Sequence, residues 1–281
     1  MLLDYVKAFF HYLTPKQTLT RLLGFFANIK TTWFKNAFIR IFIRIYGVNM
    51  AEALRTDANE YDTFNDFFTR HLKTDARPIA DSIIISPVDG YLAQFGRIES
   101  GQLIQAKGRH YRLESLLAGD LNAYEALKNG AFATLYLSPK DYHRVHMPVA
   151  GTLLQTTYVP GKLFSVQPAT TRVIPNLFAR NERLICLFDT HLGLMASIMV
   201  GATVVGSMAT SWGGVLPRKK ILERIDYRNQ DFAQPSLPQG GEMGHFQMGS
   251  TVILLFADVQ AAQWAKQLTV GQAVKFGQPL V

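Results

Sequence analysis

Apolar residues recur at helical spacing through the first fifty positions. After about residue 80 they break into short runs of strand length. Leu2, Val6, Phe9, Phe10 and Leu13 fall on one helical face, which predicts a helix over 2–13. Thr14-Pro15 marks a break and a restart, with Thr14 as N-cap and Pro15 as first helical residue. The next helix carries Leu19, Leu22, Leu23, Phe26 and Ile29 on one side. Thr31 or Thr32 caps a third helix running to about Tyr46, with Asn36, Arg40 and Arg44 as a polar stripe and Gly47 as its stop. Thr63 is placed to cap a short helix ahead of Phe64, and Pro78 turns the chain into extended backbone.

The later runs, rich in Ile, Val, Leu, Phe and Tyr, predict strands at 83–86, 91–96, 103–106, 132–138, 149–158, 184–190, 194–200, 202–210 and 251–257. Helices are expected near 112–128 and 258–267. Residues 190–217 contain no Asp, Glu, Lys or Arg. Gly193, Gly201, Gly206, Gly213 and Gly214 cut them into strand-sized pieces, so they read as buried strands and not as a membrane span. The expected class is α+β, mostly β. Residues 1–60 form a basic amphipathic helical region, and residues 61–281 form the catalytic or binding domain.

Charge sharpens the reading of the N-terminus. The chain has 281 residues and a net charge of +8. Residues 1–50 hold seven cations, Lys7, Lys16, Arg21, Lys30, Lys35, Arg40 and Arg44, against Asp4 alone. These cations are interleaved with large apolar side chains and accompanied by no nucleic-acid fold signature. An anionic membrane surface is the expected partner, and no nucleic acid is. Charges recur too often for a spanning helix, and no small-residue cleavage site follows an apolar core as in a secretory signal. The single cysteine, Cys186, lies in an apolar run and reads as a core residue.

Three stretches carry candidate chemistry. Ser86-Pro87-Val88-Asp89-Gly90 is a turn signal, and it also sets Asp89 where it can orient a histidine. Ser138 to Pro148 holds His143 and His146 three residues apart. On a helical turn they would point the same way, compatible with a structural, an acid–base or a metal-binding role. Gly240-Gly241-Glu242-Met243-Gly244-His245-Phe246-Gln247-Met248-Gly249-Ser250-Thr251 runs straight into Val252-Ile253-Leu254-Leu255-Phe256. It places Ser250 where a glycine-rich loop enters a buried strand. Lys162 and Arg180 lie in loops able to hold an anionic, lipid-like molecule. No Walker A loop, Rossmann fingerprint or G-x-S-x-G elbow occurs.

Taken in this order, these residues resemble the phosphatidylserine decarboxylase family, the membrane-associated, pyruvoyl-dependent kind. The resemblance spans nearly the whole chain. It runs through Phe64 to Pro78, Pro87-Val88-Asp89-Gly90, Tyr142 to Pro148, the Gly161 to Val166 loop, Leu177 to Arg183 and, most specifically, Gly249-Ser250-Thr251. It implies a proenzyme that cuts itself between Gly249 and Ser250, with Asp89, His146 and Ser250 as a triad acting on its own backbone. The products would be a β chain, 1–249, and an α chain, 250–281, whose pyruvoyl cofactor is made from Ser250. The pyruvoyl would form a Schiff base with phosphatidylserine, release CO2 and leave phosphatidylethanolamine, with His143 as the acid that positions and protonates. The resemblance further implies a fold akin to barrel-sandwich hybrids, no metal, a homodimer of the two-chain unit, and a peripheral place on the cytoplasmic side of the cell membrane. Gln239 stands where the family usually has Lys, and His245 where an Arg is common. The competing readings are a metal-dependent lipid hydrolase using His143 and His146, and a non-catalytic membrane-surface binding module.

Overall fold

The computed structural model describes residues 16–281 apart from 107, 204–206, 229, 232, 248–249, 259–262 and 265–266. The helix expected over 2–13 lies outside these residues, as does most of the one expected over 258–267. Helices α1 (Lys16–Ala27) and α2 (Thr32–Tyr46) form where the apolar spacing placed them, and Gly47 ends α2 in the left-handed region at φ 67°. A 3₁₀ turn follows at Ala58–Glu60, then α3 (Phe64–Phe68), whose cap is the Thr63 side chain accepting the Asp66 N–H. The strands begin with β1 (Gly90–Arg97), β2 (Gln102–Ala106) and β3 (Arg109–Arg112). Two short helices, α4 (Leu113–Leu116) and α5 (Leu121–Leu127), stand for the single one expected near 112–128. Next come β4 (Ala131–Leu137), β5 (Arg144–His146), β6 (Gly151–Val159), α6 (Pro168–Thr171) and α7 (Leu177–Arg180). The chain continues through β7 (Arg183–Thr190), β8 (Gly193–Gly201), β9 (Met208–Thr210), β10 (Gly214–Val215), β11 (Glu223–Asp226) and β12 (Ser236–Leu237). It ends with β13 (Glu242–Phe246), β14 (Ser250–Phe256) and β15 (Ala273–Val274).

Among the described residues nine strands form one antiparallel sheet in the order β11-β6-β7-β8-β14-β4-β1-β15, with β12 also paired to β6. A second sheet runs β10-β9-β13-β5, and β2 pairs with β3. The class is α+β, mostly β, with N-terminal helices and with sheets that do not close into a barrel. Strand β14 sits at the centre of the large sheet, between β8 and β4, and Val252 to Phe256 are all fully buried. A strand covered on both faces has no polar side to show, which is why residues 252–256 read as an unbroken apolar run. The 190–217 stretch forms β8, β9 and β10, and no helix of the described residues is long and apolar enough to cross a membrane. Residues 83–86, expected as a strand, contribute only a single bridge from Ile85 to Pro279.

The helices form a small core of their own, built on Ala27, Ile39 and Val48 with Tyr61, Phe64, Phe67 and Phe68. This cluster reaches past residue 60, so α3 packs with α2 and not with the large β core. Helix α2 buries part of its polar side. Lys35 and Asn36 are buried, and Lys35 Nζ reaches Asn36 Oδ1 at 2.7 Å and the Ala58 carbonyl at 3.5 Å. Asn36 and Arg40 both bond the Asn59 side chain. Asn36 thus faces the protein while Arg40 and Arg44 stay exposed, and Trp33, Ile41, Ile45 and Tyr46 also face outward, beside exposed Leu22, Phe25 and Phe26 of α1.

Candidate active site

Strand pairing builds the site from two chain segments that cross the same gap. Strand β4 ends at Leu137, and the chain passes through residues 138–143 to enter β5. Returning, β13 ends at Phe246 and β14 begins at Ser250. Ser250 lies directly opposite Leu137 on one side and Gly201 on the other. The Phe246 N–H donates to the His143 carbonyl at 3.1 Å. Ser250 and His143 thus flank one junction between the two sheets, with Met248 and Gly249 outside the described residues.

His143 and His146 do not share a helical face. His146 ends a strand, and residues three apart on extended chain lie on opposite sides. The two rings are accordingly held by different aromatic partners. His143 is fully buried and stacked on Phe68, with ring centroids 4.1 Å apart. Neither of its ring nitrogens has a well-formed hydrogen bond, although main-chain oxygens of Pro139 and Ser138 lie close enough to favour a proton weakly. Burial, then the nearby Arg70 guanidinium, push its pKa down to about 3, so the ring is neutral.

His146 stacks on Phe276 at 3.8 Å and more loosely on Tyr142. Its Nδ1 lies 2.9 Å from the Gly240 carbonyl and its Nε2 3.1 Å from the Tyr142 hydroxyl. A carbonyl only accepts, so Nδ1 carries the hydrogen and Nε2 is the free base, facing the Tyr142 O–H. Burial lowers its pKa as well.

Asp89 does not bond His146, which corrects the expected carboxylate–imidazole pair. Its carboxylate is taken by Arg77, Nε to Oδ1 at 2.9 Å and Nη2 to Oδ2 at 2.6 Å, and by the Phe276 N–H at 2.9 Å. Arg77 also binds Glu52 at 2.6 Å. Asp89 therefore positions His146 at second hand, by fixing the residue whose ring lies on the imidazole. The turn that presents Asp89 requires Gly90, because a Cβ there would lie 2.3 Å from the Tyr136 carbonyl oxygen.

Several residues that hold this site carry no local motif in the sequence. Arg70 is buried beside His143, and its Nη2 donates to the Lys140 carbonyl at 3.1 Å and the Asp141 carbonyl at 3.4 Å. It fastens the 138–143 segment to α3, while its Nε and Nη1 have no partner. Asp141 accepts from the Ser138 N–H and O–H at 2.7 and 2.6 Å. Arg144 grips Glu242 with both carboxylate oxygens, at 2.6 and 2.8 Å, locking β5 to β13. Gln239 does without the expected lysine: its amide donates to the carbonyls of Ser82, Ile83 and Pro148 at 2.9, 3.3 and 3.0 Å. His245 lies 3.8 Å from Glu242. An apolar cavity of ≈ 330 Å³ borders Thr251, whose buried hydroxyl has no partner. Among the described residues no three His, Cys, Asp or Glu side chains gather as a metal-binding group.

Known proteins match this chain from end to end. The family model described as phosphatidylserine decarboxylase matches residues 64–281, and one described as PSD matches residues 6–47. The phosphatidylserine decarboxylase proenzyme of Legionella pneumophila (strain Lens) is 53% identical over 280 residues, covering 100% of this chain and 99% of its own. That of a Polaromonas species is 54% identical over 247 residues, 87% of each chain. That of Vibrio cholerae serotype O1 is 48% identical over 281 residues, covering 99% of this chain and 98% of its own.

Proposed function

This chain belongs to the phosphatidylserine decarboxylase family, and on that premise we propose that it cuts itself between Gly249 and Ser250 and then converts phosphatidylserine to phosphatidylethanolamine and CO2. One observation carries the reading: Ser250 is the first residue of a buried central strand, at the junction that also holds a neutral His143 whose ring nitrogens make no well-formed hydrogen bond.

In the first stage Ser250 Oγ attacks the Gly249 carbonyl carbon, and its proton goes to His146 Nε2, the imidazole nitrogen without a hydrogen, which at rest accepts the Tyr142 O–H. The peptide C–N bond breaks and an ester forms, with the proton delivered to the released amine. Loss of the Cα proton of residue 250 then expels chain 1–249 as a carboxylate and leaves a dehydroalanine. One water converts that residue to pyruvoyl and releases ammonia. Asp89 and Arg77 act here by holding Phe276 against His146.

The surroundings fit a pyruvoyl group at position 250. Gly201, directly across the rung, adds no side chain, and the Thr251 hydroxyl is an orphaned polar atom next along the strand. The group supplies a carbonyl that condenses with the substrate amine and accepts the electron pair left as CO2 departs. His143, at the same junction as residue 250, is the proposed source of the proton that replaces CO2. Burial, more than Arg70, holds its pKa at about 3 and keeps it neutral at rest, so substrate binding must raise that pKa for it to serve as the acid.

The outward apolar face of α1 and α2, with exposed Lys30, Arg40 and Arg44, supports a peripheral place at the anionic cytoplasmic surface of the cell membrane. Two such two-chain units are expected to pair as a homodimer, which sedimentation of the detergent-solubilised protein would read.

Intact mass and a denaturing gel test the processing step directly. The wild-type chain should yield 1–249 and a pyruvoyl-capped 250–281. Ser250→Ala and His146→Ala should stay whole, while His143→Ala should cut but release CO2 poorly. A Ser250→Ala chain that still separates into two pieces overturns the reading.

A further inference from the structure

The rung that pairs Ser250 with Gly201 leads outward to a basic cavity. Gly201 packs on Glu182 and Leu163: a Cβ placed on it would meet the Glu182 carbonyl at 3.3 Å and Leu163 Cδ2 at 3.7 Å. The Gly201 N–H also donates to the Glu182 carbonyl at 2.8 Å. Leu163 and Glu182 in turn line a cavity of ≈ 320 Å³ whose other walls include Tyr158, Arg218, Lys219 and Lys220. Three consecutive cations thus stand over one cavity, one residue layer from the reacting position.

The charges in this cavity are mixed in a chemically specific way. Glu182 pairs with Arg218 at 3.3 Å, and Lys219 pairs with Glu223. The Lys219 N–H donates to the Tyr158 hydroxyl at 3.2 Å. Lys220 is exposed and makes no ion pair among the described residues. Three cations over two acids leave one positive charge in excess. Val215 at the end of β10 is exposed, as are Ile221 and Leu222 of the same loop, and Ile225 follows on β11. Cations next to exposed aliphatic side chains suit a ligand with an anionic head and an apolar tail.

We propose that this cavity is the seat of the substrate's phosphodiester, held by Lys219 and Lys220, with the lipid tails leaving past Ile221 and Leu222. The assignment rests on the decarboxylase reading for the identity of the lipid, but the phosphodiester site itself does not depend on turnover. Binding of this group near Glu182 and Gly201 brings the substrate amine toward position 250, so Lys219 and Lys220 set affinity and orientation and take no part in bond breaking.

Two measurements on the full-length, processed protein in neutral detergent test the site. Glycerophosphocholine carries the phosphodiester but no primary amine, so its binding by calorimetry is independent of the pyruvoyl. Lys219→Gln/Lys220→Gln should weaken it about tenfold, the loss expected for a charge-assisted contact, with Lys219→Gln/Lys220→Arg recovering part of it. In the second, the same double variant should raise KM for phosphatidylserine in neutral micelles about tenfold with kcat retained and self-cleavage unchanged. Unchanged glycerophosphocholine affinity and unchanged KM overturn the site. Inorganic phosphate binding as tightly as the diester overturns the headgroup assignment in favour of free phosphate. Lost liposome binding with unchanged KM in micelles overturns it in favour of a mere surface patch. A wild-type protein that binds glycerophosphocholine through these lysines yet releases no CO2 supports the site and defeats the decarboxylase reading alone.

Discussion

Phe68 lies nearly flat on His143, with centroids 4.1 Å apart and ring planes 22° apart. Phe68 is also part of the helical cluster, where Phe42 of α2 packs edge-on against it at 6.0 Å. One ring therefore joins the outward-facing helices to the buried imidazole. Since neither nitrogen of His143 has a firm hydrogen bond, packing is what sets its orientation.

Phe68→Leu should separate orientation from stability. It keeps most of the volume, at about 1 kcal/mol of lost stability, but removes the flat face under the imidazole. Self-cleavage, which uses His146, should proceed as in wild type. CO2 release should fall, by up to on the order of a hundredfold if the imidazole tilts out of line. The fraction cut on a gel and the decarboxylation rate check this. A Phe68→Leu protein with unchanged kcat shows that the ring does not orient His143.

Asp89→Asn and Asp89→Ala should behave differently, because Asp89 acts through Phe276. The asparagine keeps an oxygen for the Phe276 N–H while losing half of the grip on Arg77. It should slow self-cleavage without stopping it. The alanine leaves the Phe276 N–H unpaired and the buried Arg77 guanidinium with Glu52 as its one remaining acid, which costs several kcal/mol and should stop cleavage or folding. A time course of chain separation after synthesis reads the difference. Equal loss in both variants would mean that a direct carboxylate–imidazole contact forms during the reaction.

The contrast between expected and observed contacts around Asp89 shows what the sequence could convey. Periodicity located α1, α2 and the six long strands of the large sheet, since burial writes itself into apolar spacing, but not the short edge strands β11, β12 and β15. Thr63 and Gly47 were legible for the same local reason, one as a side-chain cap and one as a left-handed stop. The 240–251 stretch stands out through its glycines, its lone acid and its Gly-Ser-Thr step, but it reads as a loop where residues 242–246 form β13. The spatial partners were not legible: Phe276 is 187 positions from Asp89, and Arg70 is 70 positions from Lys140. The burial of Lys35 and Asn36 was hidden too, because a polar position on a helix reads the same whether it meets water or Asn59.

Gln239 offers a test of a departure from the family pattern. Its amide reaches three carbonyls that tie the 82–83 segment and Pro148 to the glycine loop. Gln239→Ala should lower stability by about 1–3 kcal/mol, leaving those carbonyls short of a donor, with self-cleavage nearly unaffected. Gln239→Lys supplies an ammonium with three donors to the same place and should recover most of the loss. Urea denaturation of the three proteins decides it, and a Gln239→Ala protein as stable as wild type would show that the clamp is dispensable.

His143 should leave a signature in the pH dependence of stability. Its folded-state pKa is pushed down to about 3, against an ordinary value of 6.5, chiefly by burial and then by Arg70. Between these values the unfolded chain binds a proton that the folded chain does not. Stability from this group is therefore complete above about pH 6.5 and is lost as the pH falls toward 3, at about 1.4 kcal/mol per pH unit for one proton. His146, also lowered by burial, contributes in the same sense and is common to both proteins in the comparison. His143→Gln removes one titrating group and leaves the rest. The stability gap between wild type and His143→Gln should accordingly narrow by roughly 2 kcal/mol between pH 7 and pH 5. Urea midpoints at the two pH values measure the gap. A gap that stays constant would mean that His143 holds its proton in the folded protein, with Arg70 turned away from it.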